Sequence, residues 1–352
     1  MWAGFAAYLG TLAAAPRLGR RLVWGAILLL VTAFAVAPVL LSHDVYSYVD
    51  YARLGVRHGL NPYAHPPLAA PADPAFAHVT WTETESAYGP LFTLATYPLA
   101  WLPVGVAVAI LKAAAALSVL GIAALVSRMA AWRGVDPLRA AAFVALNPLV
   151  LVHVVGGAHN DALTMLLATL SVAAILSARE LSGGAALIAA IATKASAAFL
   201  APFALLGSDR RMRFVAGGTA VALVIALGAY LAFGWDWLHG FGLAGENQHK
   251  TSYLSIPKLA ARATGLSPGV TRPAAAILFA ALVAYLLVWT WRGGDWVRAA
   301  AWTAFALLIA TSWLLPWYLL WPLPLVAISR DRPLQLLTLG LTAYQLGARI
   351  PL

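Results

Sequence analysis

The chain has 352 residues, none of them cysteine and few of them charged. Without cysteine, no disulfide framework and no thiolate metal site can form. Charged side chains make up only 10% of the residues, whereas 62% are hydrophobic, and the mean hydropathy is +0.81. Soluble domains contain about 45–50% apolar residues, so this composition excludes an ordinary soluble protein.

The sequence also lacks a convincing internal repeat and any stretch polar enough to form a soluble domain. Apolar runs recur instead from end to end, and many approach the roughly 20 residues that a helix needs to cross a bilayer. We therefore predict a single transmembrane domain over residues 1–352 with an all-α, polytopic fold.

The excess of basic residues, a net charge of +10, could indicate nucleic-acid binding. The arginines, however, cluster in short segments between the apolar runs, as clusters at cytoplasmic helix ends do. These clusters are Arg17, Arg20 and Arg21; Arg128, Arg133 and Arg139; Arg210, Arg211 and Arg213; Arg292 and Arg298; Arg330 and Arg332. The basic residues thus indicate a lipid bilayer as the partner, and no nucleic acid.

Placing the arginine clusters inside gives about ten or eleven transmembrane or re-entrant helices, with two larger outer loops, about 42–90 and 234–271. A short non-crossing helix over 91–102 precedes a span over 104–126. Residues 183–206 form a re-entrant hairpin with Lys194 near its apex. The N-terminal segment lacks the basic region of a signal peptide, and we expect an interfacial helix or a first span there.

Most acidic residues fall on the outer side of this topology. They are Asp44, Asp50, Asp73, Glu83, Glu85, Asp161, Asp236 and Glu246. The polar chemistry is therefore predicted to lie at the outer face.

Asp44 is the first acid of the chain and stands in LSHDVYSYVDY, residues 41–51, where the first long apolar run ends. A carboxylate there can accept the proton of an alcohol as a general base. Ser42 or Asp44 could instead cap an interfacial helix, and the tyrosines could form an aromatic belt. Taken alone, the stretch leaves both interpretations open.

Three other stretches carry acids, amides or aromatic rings, the groups that bind sugars. They are WTETESAYGP (81–90), GGAHND (156–161) and PWYLLW (316–321). For GGAHND the alternative is that Asn160 or Asp161 caps the next helix. A divalent metal is not favoured, because two or three ligands without a fourth make a poor site. For NPYAHPPLAAPADP (61–74) we favour a flexible connector.

Lys194, in IATKASAAF, is predicted to lie near the bilayer surface, where it suits a lipid-linked phosphate, although it could simply extend to the interface. His249 and Lys250, in ENQHKTS, could be solvated or could bind a phosphate through charge-assisted hydrogen bonds. Lys112 lies in the middle of a span with no polar neighbour in sequence, and it receives no assignment.

The stretches SHDVYSY, GLNPY, SAYGPLF, ALNPLVLVHVVGGAHNDAL and PWYLLW resemble a known family. They are similar to the actinobacterial polyprenol-phosphate-mannose-dependent α-1,6-mannosyltransferases of lipomannan synthesis, within the GT-C class of membrane glycosyltransferases. The resemblance covers roughly residues 40–320. It implies a multi-pass protein of the bacterial plasma membrane, with an active site facing the outer side and an essential acid in the first outer loop, the place of Asp44.

The resemblance further implies mannosyl transfer with inversion, from a polyprenyl-phosphate donor to a glycan or glycolipid hydroxyl. Asp44 is then the catalytic base. Lys194 is the first candidate for binding the donor phosphate, followed by His249 and Lys250, and a reaction without metal or other cofactor is favoured. The candidate sugar- and acceptor-binding residues are His43, Tyr46, Glu85, Tyr88, His159, Asn160, Asp161, Trp317 and Tyr318.

Three alternatives remain open from the sequence. The first is transfer of arabinofuranose or glucose from another polyprenyl phosphate, because the aromatic residues do not distinguish these sugars. The second is a lipid-linked-sugar flippase or small-solute transporter, although such proteins often show paired repeats and polar residues at the midplane. The third is a membrane assembly subunit without catalytic activity.

Overall fold

Every regular element in the computed structural model is helical over the residues that it describes, 2–246 and 250–347. The α-helices of these ranges are α1 (Trp2–Ala14), α2 (Arg20–Val36), α3 (Asp44–His58), α4 (Pro90–Thr96), α5 (Val104–Trp132), α6 (Pro137–Ala145), α7 (Asp161–Leu176), α8 (Glu180–Thr193), α9 (Ala201–Leu206), α10 (Arg211–Phe233), α11 (His239–Glu246), α12 (Ile256–Thr264), α13 (Pro268–Trp291), α14 (Trp296–Ala310), α15 (Leu323–Ile328) and α16 (Arg332–Gly347). Short 3₁₀ turns and one π-helical turn, Val150–Val155, lie between them.

Three of these helices, α5, α10 and α13, are long and apolar enough to cross a membrane. Shorter apolar helices include α1, α7, α8 and α14, and the paired segments Ala195–Leu206 and Pro316–Ile328. The prediction of an all-α protein with several apolar helices that can span a membrane is confirmed. The predicted span over 104–126 begins at the right residue, but α5 continues to Trp132.

Helices α8 and α10 pack so closely that glycines are required between them. A Cβ atom on Gly184 would lie 1.9 Å from the carbonyl oxygen of Phe214, and one on Gly217 would lie 1.9 Å from that of Leu181. Small residues let helix backbones approach each other in membrane proteins, where close packing replaces the hydrophobic driving force. This contact fixes α8, and with it the helix end that carries Lys194.

The predicted helix break at Lys194 is confirmed. Helix α8 ends at Thr193, and Lys194 has an extended backbone before the chain continues as a 3₁₀ turn, Ala195–Leu200, and then as α9. The backbone N–H of Gly89 donates to the carbonyl of Thr193 at 3.1 Å. The apex of the hairpin is therefore joined to residues 42–90, which were predicted to form the first outer loop.

The predicted first outer loop, about residues 42–90, is packed, not loose. The Arg53 guanidinium pairs with Asp73 at 2.7 Å and donates to the carbonyl of Ala100 at 3.0 Å. Tyr63 is 1% exposed, and its hydroxyl donates to the carbonyl of Tyr88 at 2.9 Å. The expectation of a flexible connector over 61–74 is therefore wrong, because this segment supplies buried partners to α3 and to the residues before α4.

Candidate active site

A cavity of about 390 Å³ lies where the first outer loop, the apex at Lys194, the second outer loop and the turn after α14 meet. Of the residues selected from the sequence, seven line it: Asp44, Glu85, Tyr88, Lys194, Lys250, Trp317 and Tyr318. They come from five separate stretches of the chain, so the fold brings together groups that the sequence scatters.

Asp44 is the first residue of α3, and its side chain is 17% exposed toward the cavity. Its Oδ1 accepts a hydrogen bond from Trp81 Nε1 at 3.2 Å, and its backbone N–H donates to the Ser42 hydroxyl at 3.3 Å. The Ser42 hydroxyl thus accepts a hydrogen bond from one of the unpaired backbone N–H groups at the start of α3. The Asp44 carboxylate remains on the cavity wall. Burial raises the pKa of Asp44 above its ordinary value, which makes the carboxylate a stronger base.

His159 is a buried neighbour of both Asp44 and Trp317. Its Nδ1 is 3.7 Å from Asp44 Oδ2, and its ring stacks on Trp317 with centroids 3.7 Å apart and an angle of 17°. Burial, reinforced by the positive charge of Lys194, lowers the pKa of His159 well below its ordinary value. The imidazole is therefore neutral at pH 7, and it supports Asp44 and the aromatic wall without adding a charge.

Asp161 is fully buried and holds two residues of the cavity wall. Its Oδ2 accepts from Lys194 Nζ at 2.7 Å, and its Oδ1 accepts from Trp321 Nε1 at 2.7 Å. Asn160 is the N-cap residue of α7, but among the described residues its side chain makes no capping hydrogen bond. Its Oδ1 instead lies 3.5 Å from Lys194 Nζ. The helix-cap interpretation is therefore wrong for both side chains, which point toward Lys194.

Lys194 presents an ammonium to the cavity from the apex of its hairpin. The side chain is 18% exposed, and Nζ lies 5.3 Å from the centre of the Tyr318 ring. An ammonium carries three N–H donors, and the bonds to Asp161 and Asn160 use two of them. Lys194 is therefore a charge that is fixed in place by Asp161 and still able to donate toward a ligand.

The second outer loop covers the cavity through Lys250. Its ammonium lies 4.8 Å from the centre of the Trp81 ring and 6.0 Å from that of Trp313. Next to it, the backbone N–H of Ser252 donates to the carbonyl of Ser312 at 2.8 Å. The other predicted phosphate ligand of this loop, His249, lies outside the described residues.

Two predicted contacts, His43 and Tyr46, lie away from this cavity. The rings of His43 and Tyr46 meet edge to face at 5.7 Å, and Tyr46 stacks on His78 at 4.8 Å. His43 is exposed. Their roles in sugar binding stay predictions.

Sequence reasoning missed three tryptophans of the cavity wall, Trp81, Trp313 and Trp321. A signal existed for two of them, because Trp81 opens WTETESAYGP and Trp321 closes PWYLLW, both stretches chosen for sugar binding. Over residues 2–246 and 250–347, no three histidine or acidic side chains come together as a metal site would need. Metal independence stays a prediction.

Two family models match the chain. The first, described as "Alpha-(1->6)-mannopyranosyltransferase, N-terminal domain", matches residues 1–208, and the second, "MptB C-terminal domain", matches residues 259–345. The first model alone covers more than half of the chain, and the matched region includes Asp44, His159, Asp161 and Lys194.

Individual relatives agree with the family models. The chain is 31% identical over 337 residues to the α-(1→6)-mannopyranosyltransferase A of Mycobacterium tuberculosis, which is 84% of this chain and 64% of that protein. It is 31% identical over 173 residues to the enzyme of the same name from Corynebacterium glutamicum, 47% of this chain and 35% of that protein. The chain spans less than two thirds of the length of these relatives.

The resemblance inferred from the sequence motifs is therefore confirmed at the level of the family. With an all-helical fold, a cavity lined by Asp44 and Lys194, and matches to both family models, the chain belongs to the α-(1→6)-mannopyranosyltransferase family.

Proposed function

We propose that the protein transfers a mannosyl residue from a polyprenyl-phosphate donor to a hydroxyl of a glycan or glycolipid at the outer face of the membrane. One observation carries the proposal: the Asp44 carboxylate and the Lys194 ammonium line one cavity that is walled by tryptophan and tyrosine rings. The reaction needs a base for the acceptor, a cation for the phosphate and aromatic faces for the sugars.

The proposed reaction is a single displacement. The acceptor hydroxyl gives its proton to Asp44 while its oxygen attacks the anomeric carbon. The bond from that carbon to the phosphate oxygen breaks, and its electron pair leaves with the polyprenyl phosphate. Attack from the face opposite the phosphate inverts the anomeric centre, so a β-linked donor gives an α-linked product.

Lys194 stabilises the leaving phosphate in this scheme. Charge that develops in a partly enclosed site is stabilised strongly by a cation already held in position. Asp161 and Asn160 supply that hold through their contacts of 2.7 and 3.5 Å with Lys194 Nζ. No general acid is required, because a phosphate leaves as a stable anion.

The outer-face location is supported by the length and direction of α5. The helix begins at Val104, after the first outer loop, and ends at Trp132 beside Arg133, which belongs to the arginine clusters. Its 29 residues extend over about 43 Å at 1.5 Å per residue, enough to separate the cavity from those clusters by a bilayer. A donor that presents its phosphate at the outer surface would meet this cavity.

Radiolabelled polyprenyl-phosphate mannose and a short α-mannoside acceptor test the proposal, with wild type beside Asp44→Asn. Loss of the general base should reduce transfer about 10²- to 10⁴-fold. Asp209→Asn, which changes an acid in the loop before α10, should leave transfer unchanged. Equal transfer by wild type and Asp44→Asn would sink the mechanism. Labelled arabinofuranosyl and glucosyl donors, run in parallel, decide the sugar.

The pH profile offers a second test of Asp44. A base acts only in its deprotonated form, and burial raises the pKa of Asp44. Transfer by the wild type should therefore decline on the acid side at a pH above the ordinary titration of aspartate. The residual activity of Asp44→Asn should show no such decline. A flippase would move labelled donor across vesicles without forming product, and Asp44→Asn would not affect it in this way.

A further inference from the structure

Lys112 lies in α5 and is 4% exposed. Its ammonium donates to three backbone carbonyls: those of Ala37, of Pro38 at 3.0 Å and of Gly156 at 3.2 Å. Three N–H donors thus meet three acceptors. Over residues 2–246 and 250–347, no acidic side chain forms an ion pair with Lys112. The charge is held entirely by main-chain oxygens.

These carbonyls belong to the two irregular segments that lead into the cavity wall. Residues 37–43 connect α2 to Asp44, and residues 156–160 connect the π-helical turn to Asp161. The backbone N–H of Leu40 also donates to the carbonyl of Gly156, at 3.1 Å. Irregular backbone at membrane depth requires internal partners, and Lys112 supplies them to both segments together.

Each of the two segments also contains a strained residue. Leu41 has φ = 60° and Ala158 has φ = 55°, a left-handed conformation that residues with a Cβ atom rarely adopt. Such a conformation persists only where surrounding contacts hold it, and it is common at functional sites. Leu41 lies between Pro38 and Asp44, and Ala158 lies between Gly156 and His159. The strain therefore lies between the carbonyls that Lys112 binds and the side chains of the site.

We propose that Lys112 is a positioning residue, which joins residues 37–43 to residues 156–160 and so sets the placement of Asp44 relative to His159 and Asp161. This role rests on the proposed function, because it matters for transfer only if Asp44 is the base. Lys112 lies outside the residues that line the cavity, so it acts through the backbone.

Kinetics of Lys112→Met test the positioning role. Methionine keeps most of the volume and removes all three donors. A displacement of about 1 Å at a reacting group can cost about 100-fold in rate, so kcat should fall about 10- to 100-fold. The KM for the donor should stay within about twofold, because Lys194 and the aromatic wall remain. The kcat of Lys112→Gln, which keeps two donors, should lie between that of the wild type and that of Lys112→Met.

A readout independent of activity uses the absence of cysteine from the chain. Val39 is partly buried against the hydrophobic cluster that contains Val45 and Tyr48, so the thiol of Val39→Cys should react slowly with a maleimide while residues 37–43 are held. Lys112→Met in this background should speed the reaction about fivefold or more through local opening. Ser118→Ala, another buried change on α5, should not.

The positioning role would be overturned if Lys112→Met kept the wild-type kcat, if the variant changed only the KM for the donor, or if its labelling rate equalled that of the wild-type background. Lys112→Gln carries the same test if the methionine variant does not fold, as judged by its elution and thermal unfolding. If the wild type transfers no mannose, the proposed function fails. The labelling rates at position 39 still decide whether Lys112 holds residues 37–43.

Discussion

The two outer loops differ in how they are held, although both border the same cavity. In the first loop, buried groups are paired across long sequence distances, as Arg53 is with Asp73 and Tyr63 with Tyr88. In the second loop, large apolar side chains are exposed, including Trp235, Leu238, Tyr253, Leu259 and Leu266. It borders the cavity through Phe241, Gly245 and Lys250, and Ser252 bonds to the turn after α14.

The two loops therefore suit two different roles, placing the general base and covering the cavity. A general base must be placed within a fraction of an ångström, which requires neighbours locked by packing and hydrogen bonds. Asp44 lies in the loop that has them. A cover over a cavity needs only to contact the ligand and to leave when the ligand leaves, and loosely held segments suit that task. Replacing side chains in the two loops should therefore give unequal effects.

The largest expected effect is on stability, at the ion pair of the first loop. Arg53→Met removes the guanidinium from buried Asp73 and leaves His58 Nε2, at 2.8 Å, as its remaining ion-pair partner. Removing one partner of a buried pair typically costs about 3–5 kcal/mol. Arg57→Met, one turn away on α3, removes a cation that lies only over the Trp101 ring, at 5.8 Å, and should cost about 1 kcal/mol or less. Thermal unfolding in detergent measures both. Similar midpoints for the two variants would show that the first loop is not held by this pair.

A smaller effect on stability, a gain instead of a loss, is expected from replacing Asp50, which also lies on α3. Burial, and then the negative charge of Asp73, raises the pKa of Asp50 to about 7. Because the folded state binds this proton more tightly than the unfolded state, Asp50 favours folding below its ordinary pKa and loses that advantage as the pH rises to 7. Asp50→Asn, which stays neutral, should therefore stabilise the protein by about 1–3 kcal/mol.

The gain from Asp50→Asn should grow between pH 4 and pH 7 and level off above that. Unfolding midpoints measured at pH 5 and pH 8 give the comparison. The matched variant is Asp236→Asn in the second loop, where the acid accepts a hydrogen bond from Asn61 at 2.8 Å. A gain in Asp50→Asn that does not depend on pH would contradict the burial argument.

The smallest effect is expected at the second loop. Lys250→Ala removes the ammonium over the Trp81 ring, a contact worth about 0.5–1 kcal/mol at an exposed site. The kcat/KM should therefore fall only about two- to fivefold. Lys258→Ala, whose ammonium lies over Tyr253 and not on the cavity, should change nothing. A loss in Lys250→Ala as large as that of Asp44→Asn would remove the distinction between the two loops.

The sequence predicted those features that depend on local pattern. Apolar runs located many of the helices, and a lysine within an apolar hairpin located the break at Lys194. The family motifs pointed to Asp44. Roles could be suggested for individual charged residues because such residues are rare in this chain, and each charge within an apolar protein needs an explanation.

Pairings between distant residues could not be predicted in this way. Asp161 was expected to cap α7 or bind a sugar, but it holds Lys194 and Trp321. Lys112 has no polar neighbour in sequence because all of its partners are backbone carbonyls of other segments. Arg53 and Asp73 pair across a stretch rich in proline and alanine that reads as a loose connector. Partners of these kinds become visible only when the chain has folded.

The bond between Asp161 and Lys194 has a consequence for turnover under the proposed mechanism. After transfer, the polyprenyl phosphate remains in the site with one more negative charge than the donor had. A lone buried cation would retain such a product tightly, and its departure would then limit the rate. Because Asp161 offsets the charge of Lys194 at 2.7 Å, the site holds this product less tightly than a lone cation would. The acid that weakens the cation thereby eases product release before the next donor binds.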